Sequence, residues 1–367
     1  MRIDLTTELT PTQLDQWARF LAQARTSHPE QDPCFAPVLR ADGRDVAFAM
    51  GWQGSDLVAV ALFSLRPHPF LKGRYSDAMT YSGPVCDDRA HLLEFIEKLQ
   101  ATALFRKVGR IRITPYWLGE EGRAFGPVLT GLGWHVFENE PIRHTGLISL
   151  APTETEIYEK FTKSARYEYR KAQRQSMKVE HVVDQARAIE VMELLNRHRR
   201  ARRMGPIEPG SFLASFTHVF SNPSKAIFAV ATHEGQIVAG ISVYCGYHGT
   251  HGPHFFTVPD ELRKLQNLRI APFLWHYVAV WSKASGMNWM DVEGYKADTG
   301  AGDRLYNVHK YKGDLGAVEI VRVAGHARIL HPFLYLTGNL REIARRRAKA
   351  ALALVPRRSA PAPQTAD

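Results

Sequence analysis

The sequence predicts a mixed α/β protein built from two similar halves. Strand-like segments with alternating or continuous apolar residues are interspersed with segments of helical period. The order hairpin, helix, strand occurs once before and once after residue 150. At 367 residues the chain is also too long for one ordinary hydrophobic core. We therefore expect domains at residues 1–150 and 151–335, followed by a basic helix and a disordered tail at 336–367.

In the first half, apolar periodicity and turn residues predict a regular series of elements. Gly54, Ser55 and Asp56 separate two apolar runs and indicate a β-hairpin. In chain order, the predicted elements are a helix at Pro11–Ala24, strands at Val46–Trp52 and Leu57–Leu65, a helix from Asp88 to Phe105, a strand at Arg110–Thr114, a helix before Gly131, and strands at Trp134–Glu138 and Thr145–Leu150.

The second half repeats this order. Thr153 lies three residues before Glu156, the spacing of a capping box, and predicts that a helix begins there. The predicted elements are helices at Ile157–Met177 and Gln185–Arg203, strands at Ala226–Thr232, Val238–Tyr247 and Pro253–Val258, a helix at Leu265–Ser285, and strands at Trp289–Val292 and Ala317–Val323. Because no long linker separates the halves, we expect the helix after Thr153 to join them beside a shared site.

This joining helix has an unusual charge pattern. Its apolar stripe comprises Ile157, Phe161, Ala165, Tyr169 and Ala172. Its cations fall at i, i+3, i+7 and i+11 and form a face of their own, made of Lys163, Arg166, Arg170 and Arg174. Like charges at such spacing repel one another, so we expect a bound anion to offset the repulsion. The alternative is a solvated basic face.

The composition is that of a globular protein, with 45% hydrophobic and 23% charged residues. The net charge is +10, and residues 321–367 contribute +7 of it through nine Lys and Arg against two acids. Such a local excess suits a phosphate-bearing partner such as tRNA, a nucleotide-linked substrate or an anionic membrane surface, or serves only solubility.

The cysteines and the apolar runs bear on the cellular compartment. Cys34, Cys86 and Cys245 are odd in number and widely spaced, which does not fit a disulfide framework. The N-terminus has acidic residues where a signal peptide needs an apolar run, and no stretch reaches the roughly 18 apolar residues of a membrane span. We expect a cytoplasmic protein.

A second notable stretch runs from Asp291 to Gly316. It begins with Asp291 and Glu293 at the end of a predicted strand, where functional residues of α/β sheets gather, so we expect both to bind substrate. It ends in Tyr311-Lys312-Gly before another strand. A lysine beside an aromatic residue can hold a phosphate or neutralise an oxyanion where water is excluded. The alternative is an ordinary loop lysine.

Four segments resemble motifs of the Fem (FemABX) family. Ser164-Ala-Arg-Tyr-Glu-Tyr-Arg-Lys-Ala-Gln-Arg174 is similar to its Arg-Tyr-x-x-Arg-Lys-Ala helix, and Tyr311-Lys-Gly-Asp-Leu-Gly316 to its Phe-Lys-x-x-Phe-Gly signature. Tyr81-Ser-Gly-Pro-Val-Cys-Asp87 resembles Arg-Gly-Pro-Val-x-Asp, and Asp291-Val-Glu-Gly294 resembles Asp-Phe-x-Gly. The four lie in the family's order and span roughly residues 15–320 of this chain.

The resemblance implies two GNAT-like domains and transfer of an aminoacyl group from aminoacyl-tRNA to an amine, typically on a nucleotide- or lipid-linked peptidoglycan precursor. Lys312 would hold a phosphate or the oxyanion, with Tyr311 in place of the usual Phe. Arg166 and Arg170 would contact phosphate, and Asp87 or Asp88 would lie near the attacking amine. Ser82 stands where the family has Arg, and the long coiled-coil insertion of some members is missing from the sequence.

Other functions remain open at this point. GNAT-like folds normally bind the CoA pyrophosphate at a glycine-rich start of the central helix, whereas residues 263–271 contain no glycine. An acyl-CoA-dependent N-acyltransferase is therefore the alternative enzyme. Arg197–Arg203 could instead serve a non-catalytic RNA- or membrane-binding module.

No cofactor or metal is expected. Cys245, His248, His251 and His254 resemble a metal-ligand set by composition. Their spacing within a hairpin does not place the side chains together, because side chains alternate between the two faces of a strand.

Overall fold

The computed structural model describes residues 1–136, 144–303, 305–340 and 344. The strands among these residues are β1 (Arg2–Thr6), β2 (Asp45–Gln53), β3 (Asp56–Pro67), β4 (Tyr75–Thr80), β5 (Arg110–Ile113), β6 (His135–Val136), β7 (His144–Ser149), β8 (Lys178–His181), β9 (Ala226–His233), β10 (Gln236–Cys245), β11 (Gly249–Thr257), β12 (Trp289–Asp291), β13 (Val318–Val321) and β14 (His326–Ile329). The helices are α1 (Pro11–Gln23), α2 (Ala36–Ala41), α3 (Arg89–Gln100), α4 (Gly119–Gly131), α5 (Glu154–Glu159), α6 (Lys163–Arg174), α7 (Gln185–Ala201), α8 (Pro209–Ser215), α9 (Pro259–Lys264), α10 (Ala271–Ala284), α11 (Tyr306–Asp314) and α12 (Pro332–Gly338).

The strands form two mixed sheets of seven. The first has the order β1-β2-β3-β4-β5-β14-β6 and the second β13-β7-β12-β11-β10-β9-β8. In the first sheet β4 and β5 are parallel and are connected through α3, and in the second β11 and β12 are parallel and are connected through α10. Helices α3 and α10 thus hold equivalent places in the two halves. The predicted α/β class and the repeated unit are confirmed.

Two strands do not follow the chain order. The strand predicted at Thr145–Leu150 at the end of the first half is β7, which pairs with β12 and β13 in the second sheet. Strand β14 follows the second sheet in sequence but lies between β5 and β6 in the first. Apolar alternation shows that a strand has one buried face but does not identify its partner. The two halves therefore exchange strands and share a continuous junction.

Each sheet has its own apolar core. Phe63, Phe95 and Phe125 are fully buried in the first, and Leu274 and Trp275 in the second. A large apolar side chain contributes about 1.5–3 kcal/mol when it is buried. The predicted stripe of the joining segment is part of the second core, where Ile157, Phe161, Ala165 and Ala172 are all buried.

The joining segment is two helices rather than the single predicted one. The capping box at Thr153 and Glu156 is present and begins α5. Thr162 then accepts a hydrogen bond from the backbone of Ala165 and begins α6. The guanidinium of Arg166 reaches back and donates to the carbonyl oxygens of Glu159 (2.6 Å) and Phe161 (2.9 Å). The second N-cap and the hydrogen bonds of Arg166 separate α5 from α6. The apolar stripe continues across this boundary, so apolar periodicity alone does not predict it.

Other predicted boundaries also move. The helix predicted from Leu265 begins at Ala271, because Gln266 and Asn267, both with a left-handed φ of 56°, separate α9 from α10. Lys312 lies within α11 rather than in a loop. Residues 137 and 138 of the strand predicted at Trp134–Glu138, and the basic segment from Arg341 apart from residue 344, lie outside the described residues.

Candidate active site

A cavity of about 280 Å³ lies in the second half of the molecule. Its walls come from α7, β11, α10, the end of β12 and α11. The residues that line it are Leu195, His198, Arg199, Arg202, Met204, Gly252, His254, Phe255, Trp275, Val292, Glu293, Asn307, Val308, Tyr311 and Lys312. Apolar walls with a few polar groups are typical of small-molecule sites.

Lys312 is buried in this cavity and is held by the main chain. Its Nζ donates hydrogen bonds to the carbonyl oxygens of Glu293 (2.8 Å) and Gly294 (3.1 Å). An ammonium group has three N–H donors, so one stays available to a ligand after these two bonds. Burial lowers the pKa of Lys312, and the carboxylates of Glu293 and Asp291 partly oppose that shift. The residue is thus a fixed donor in a water-poor place.

Glu293 faces the same cavity with an unusual backbone. Its φ is 56°, in the left-handed region, and its N–H donates to Oδ1 of Asp291 at 2.6 Å. Among the described residues, its carboxylate has no hydrogen-bond or ion-pair partner. Burial raises the pKa of Glu293, and the carboxylates of Asp291 and Glu30 raise it further, whereas Lys312 and Arg322 lower it.

Asp291 lies beneath the cavity at the end of β12 and is 1% exposed. It accepts hydrogen bonds from the hydroxyl of Tyr116 at 2.6 Å, from the hydroxyl of Thr145 and from the backbone of Glu293. Three donors satisfy most of the acceptor capacity of a buried carboxylate. Asp291 therefore fixes the backbone of Glu293 at the end of β12. The carbonyl oxygen of Glu293 in turn holds Lys312.

A buried polar network continues from Asp291 across the junction. The rings of His28 and His251 are 3.9 Å apart, and Nδ1 of His251 lies 3.7 Å from Oδ2 of Asp291. Burial lowers the pKa of both histidines, that of His251 to about 4, so both are neutral near pH 7. Arg322 stacks over the ring of Tyr116 at 5.3 Å.

The position of Ser82, where the family motif has Arg, also belongs to this network. The hydroxyl of Ser82 donates to Glu30 at 2.9 Å and accepts from the guanidinium of Arg322 at 3.2 Å. A guanidinium therefore reaches this position from a distant part of the chain. Only the fold brings Arg322 there, and no local pattern indicated it.

One wall of the cavity is basic. His198, Arg199 and Arg202 come from the end of α7 and its cap, within the run for which sequence analysis suggested nucleic-acid binding. Arg199 donates from Nε to the carbonyl oxygen of Gly205 at 2.7 Å, which fixes its side chain. Sequence analysis missed that this run faces Lys312, because the two are about a hundred residues apart in the chain.

The cations of α6 lie elsewhere. Lys163, Arg170 and Arg174 are exposed, and none of them has an ion pair among the described residues. They do not line the cavity, and neither does Arg166. Helix α6 is nevertheless tied to α11, because the backbone N–H of Thr162 donates to the carbonyl oxygen of Asp314 at 2.9 Å.

The two predicted aspartates of the first half are held by local backbone contacts. Asp87 accepts from the N–H groups of Arg25 (2.8 Å) and Thr26 (3.0 Å). Asp88 is the N-cap of α3 and accepts from the N–H of His91 at 2.8 Å. The structure does not bring either residue into the cavity with Lys312.

A side-chain carboxylate also lies close to the start of α10, the helix that is equivalent to α3. Glu168 of α6 is 9% exposed and accepts from the backbone N–H of Arg269 at 3.1 Å, two residues before α10 begins. Lys171 donates to the carbonyl oxygen of Gln266 at 3.0 Å and ties the same loop. Asp88 thus occupies a backbone N–H in the first turn of α3, whereas Glu168 binds the loop just before α10.

Comparison with solved structures shows what the chain is similar to. FemX matches with a TM-score of 0.75 at 13% identity, covering 91% of this chain and 99% of that one. The chain has the fold of FemX. L-PGS from Bacillus licheniformis matches with a TM-score of 0.53 at 14% identity, over 90% and 96% of the two chains. A tandem GNAT protein from the clavulanic acid biosynthesis pathway matches with 0.51 at 12% identity, over 90% and 99%.

These matches confirm the tandem GNAT-like fold that the motifs implied. No family model and no curated protein sequence matches the chain. In the described part of the chain, no helix is long and apolar enough to cross a membrane. The same residues contain no cluster of three or more His, Cys, Asp or Glu side chains suited to a metal ion.

Proposed function

We propose that this protein is an acyltransferase that moves an aminoacyl group from aminoacyl-tRNA to an amine. The observation that carries the proposal is Lys312, an ammonium group buried in a cavity and held by the carbonyl oxygens of Glu293 and Gly294. A fixed cation away from water is suited to the oxyanion that forms when an amine attacks an ester. The fold shared with FemX and the resemblance of the sequence motifs to the Fem family support the same class of reaction.

The reaction needs little more than this. An aminoacyl ester is already activated, so positioning of the amine and stabilisation of the oxyanion supply most of the rate. The remaining N–H of Lys312 would donate to the carbonyl oxygen of the ester as negative charge develops there. Removal of one such donor lowers the rate of an enzyme by about 10²–10³-fold.

The contacts at the helix starts favour tRNA over CoA as the donor. A CoA pyrophosphate would approach the first backbone N–H groups of a central helix, and glycine permits that approach. Here Glu168 accepts from the N–H of Arg269 before α10, Asp88 caps α3, and residues 263–271 contain no glycine. The exposed cations Lys163, Arg170 and Arg174 would contact the tRNA backbone instead.

The basic wall supports an acceptor or donor that carries phosphate. Arg199 and Arg202 line the cavity together with apolar side chains that include Trp275. A nucleotide- or lipid-linked cell-wall precursor would bring both a phosphate and an amine to this place. We place the reaction in the cytoplasm, where aminoacyl-tRNA is found.

Purified protein incubated with radiolabelled aminoacyl-tRNAs, and separately with labelled acyl-CoAs, tests the donor. Amine acceptors should include a nucleotide-linked peptidoglycan precursor. We expect label to move from tRNA to an amine and not from CoA. Transfer from acyl-CoA alone would establish the N-acyltransferase instead. Salt-sensitive RNA binding without transfer from either donor would establish a binding module.

A further inference from the structure

The side chain of Glu293 has no structural role that explains its presence. Its N–H binds Asp291 and its carbonyl oxygen binds Lys312, and any residue except proline would supply both groups. With φ of 56°, it adopts a conformation that favours glycine. A residue kept in strain at a cavity points to function.

The carboxylate of Glu293 is also the acidic group best placed to act on a substrate. It lines the cavity with Lys312 and accepts no hydrogen bond and forms no ion pair among the described residues. Asp291 already accepts three hydrogen bonds and is 1% exposed, so it has little capacity left. Asp87 and Asp88 are bound to backbone N–H groups outside the cavity.

We infer that Glu293 is the catalytic base that accepts the proton of the acceptor amine. This inference rests on the proposed function and deepens it. The amine enters in its neutral form with its N–H directed at the Glu293 carboxylate. Its nitrogen bonds to the ester carbonyl carbon while one N–H proton passes to Glu293, and the oxyanion forms against Lys312. The ester C–O bond then breaks, and the proton passes from Glu293 to the leaving ribose oxygen.

The surroundings of Glu293 suit this step. A base is most effective when its pKa lies near the working pH. Burial and the neighbouring carboxylates raise the pKa of Glu293 from its ordinary value in that direction. Lys312 lies close enough to stabilise the ionised form, which is the form that accepts a proton.

Three variants separate catalysis from folding. Glu293→Gln keeps the size of the side chain but cannot accept the proton, and we expect kcat to fall by about 10²–10⁴-fold with KM little changed. Glu293→Gly removes the backbone strain, so it should lose activity without a lower Tm. Glu234 has φ of 50° in the exposed β9–β10 turn, and Glu234→Gly is the matched control. It should also keep its Tm, and it should keep full activity.

The dependence of kcat on pH distinguishes a catalytic base from a residue with only a structural role. In the wild type, kcat should fall as the pH drops through the raised pKa of Glu293. Glu293→Asp should retain that acidic limb at a lower rate, and the residual rate of Glu293→Gln should lack it. Unchanged kcat in Glu293→Gln, or the same acidic limb in it, would overturn the inference.

A second measurement keeps this inference distinct from the choice of donor. The Glu293 carboxyl is followed by ¹³C NMR, identified by its absence in Glu293→Gln, with and without methylamine as the amine probe. A raised pKa and a methylamine-dependent shift of that signal support the base, even if neither tRNA nor CoA proves to be the donor. An ordinary pKa with no response to methylamine would overturn it, whichever donor is used.

Discussion

The hydroxyl of Tyr116 donates a 2.6 Å hydrogen bond to Oδ2 of Asp291 across the junction of the two sheets. Tyr116 follows β5 of the first sheet, and Asp291 ends β12 of the second. Because Asp291 also binds the backbone of Glu293, this contact connects the first half of the chain to the residues around Lys312. The first half thus supports the cavity although it does not line it.

Loss of this hydroxyl should weaken both folding and activity. Tyr116→Phe removes a buried hydrogen bond to a charged group, and we expect the free energy of unfolding to fall by about 1.5–3 kcal/mol. The kcat should fall more than KM rises, because Glu293 and Lys312 lose their support. Urea unfolding and steady-state kinetics measure the two effects. Tyr167→Phe, on an exposed tyrosine of α6, is the control, and equal behaviour of the two variants would refute the role of Tyr116.

The buried histidines should make stability depend on pH. His251 is neutral when folded, with its pKa lowered to about 4, whereas an unfolded histidine binds a proton below about pH 6.5. Stability is therefore lost as the pH falls from about 6.5 towards 4. The slope approaches about 1.4 kcal/mol per pH unit, and this residue accounts for a loss of about 2 kcal/mol between pH 8 and pH 5.

Urea unfolding at several pH values checks this expectation. His251→Gln should show a shallower fall in unfolding free energy than the wild type between pH 6.5 and pH 5. His218→Gln, on an exposed histidine, should behave like the wild type. If His251→Gln shows the full wild-type slope, the histidine is not buried in its neutral form.

Glu168 should hold the loop before α10. Glu168→Ala leaves the N–H of Arg269 without its partner and should lower the free energy of unfolding by about 1–3 kcal/mol. Amide hydrogen exchange at residues 265–270 should also become faster. Glu159→Ala, an exposed glutamate of α5, is the matched control and should change neither quantity. Unchanged amide hydrogen exchange in Glu168→Ala would show that the carboxylate does not hold the loop through the N–H of Arg269.

The basic wall should bind the phosphate of a substrate. Arg202→Gln and Arg199→Gln remove charges from the cavity lining, and we expect KM for the phosphate-bearing substrate to rise several-fold with kcat little changed. The increase should shrink at high salt. Arg200→Gln, on the exposed side of α7, should leave KM as it is. Equal effects of the three substitutions would indicate a general surface charge effect.

The sequence predicted the repeated fold and Lys312 because both have local signals. Apolar periodicity marks each half, and the capping box of Thr153 and Glu156 marks the start of α5. Tyr311 and Lys312 stand out by composition in a stretch between strands. Such patterns extend over a few residues, so they can be recognised without knowledge of the fold.

The remainder of the site comes from contacts between distant segments. Strand β7 looks like part of the first half, yet its partners β12 and β13 are in the second. Arg322 reaches Ser82 over 240 positions of sequence, and Arg199 reaches the cavity of Lys312 from α7. The charge pattern of α6 predicted an anion-binding face, but Arg166 donates its hydrogen bonds to carbonyl oxygens of its own segment.

In the proposed reaction, Lys312 stabilises the oxyanion during aminoacyl transfer. The most direct test is the rate at which Lys312→Met transfers a labelled amino acid from tRNA to the amine acceptor, compared with the wild type at saturating substrate. Methionine keeps the apolar stem of the side chain and removes the donor. We predict a loss of about 10²–10³-fold in that rate with the fold intact by circular dichroism. A rate equal to that of the wild type would show that Lys312 does not stabilise the oxyanion.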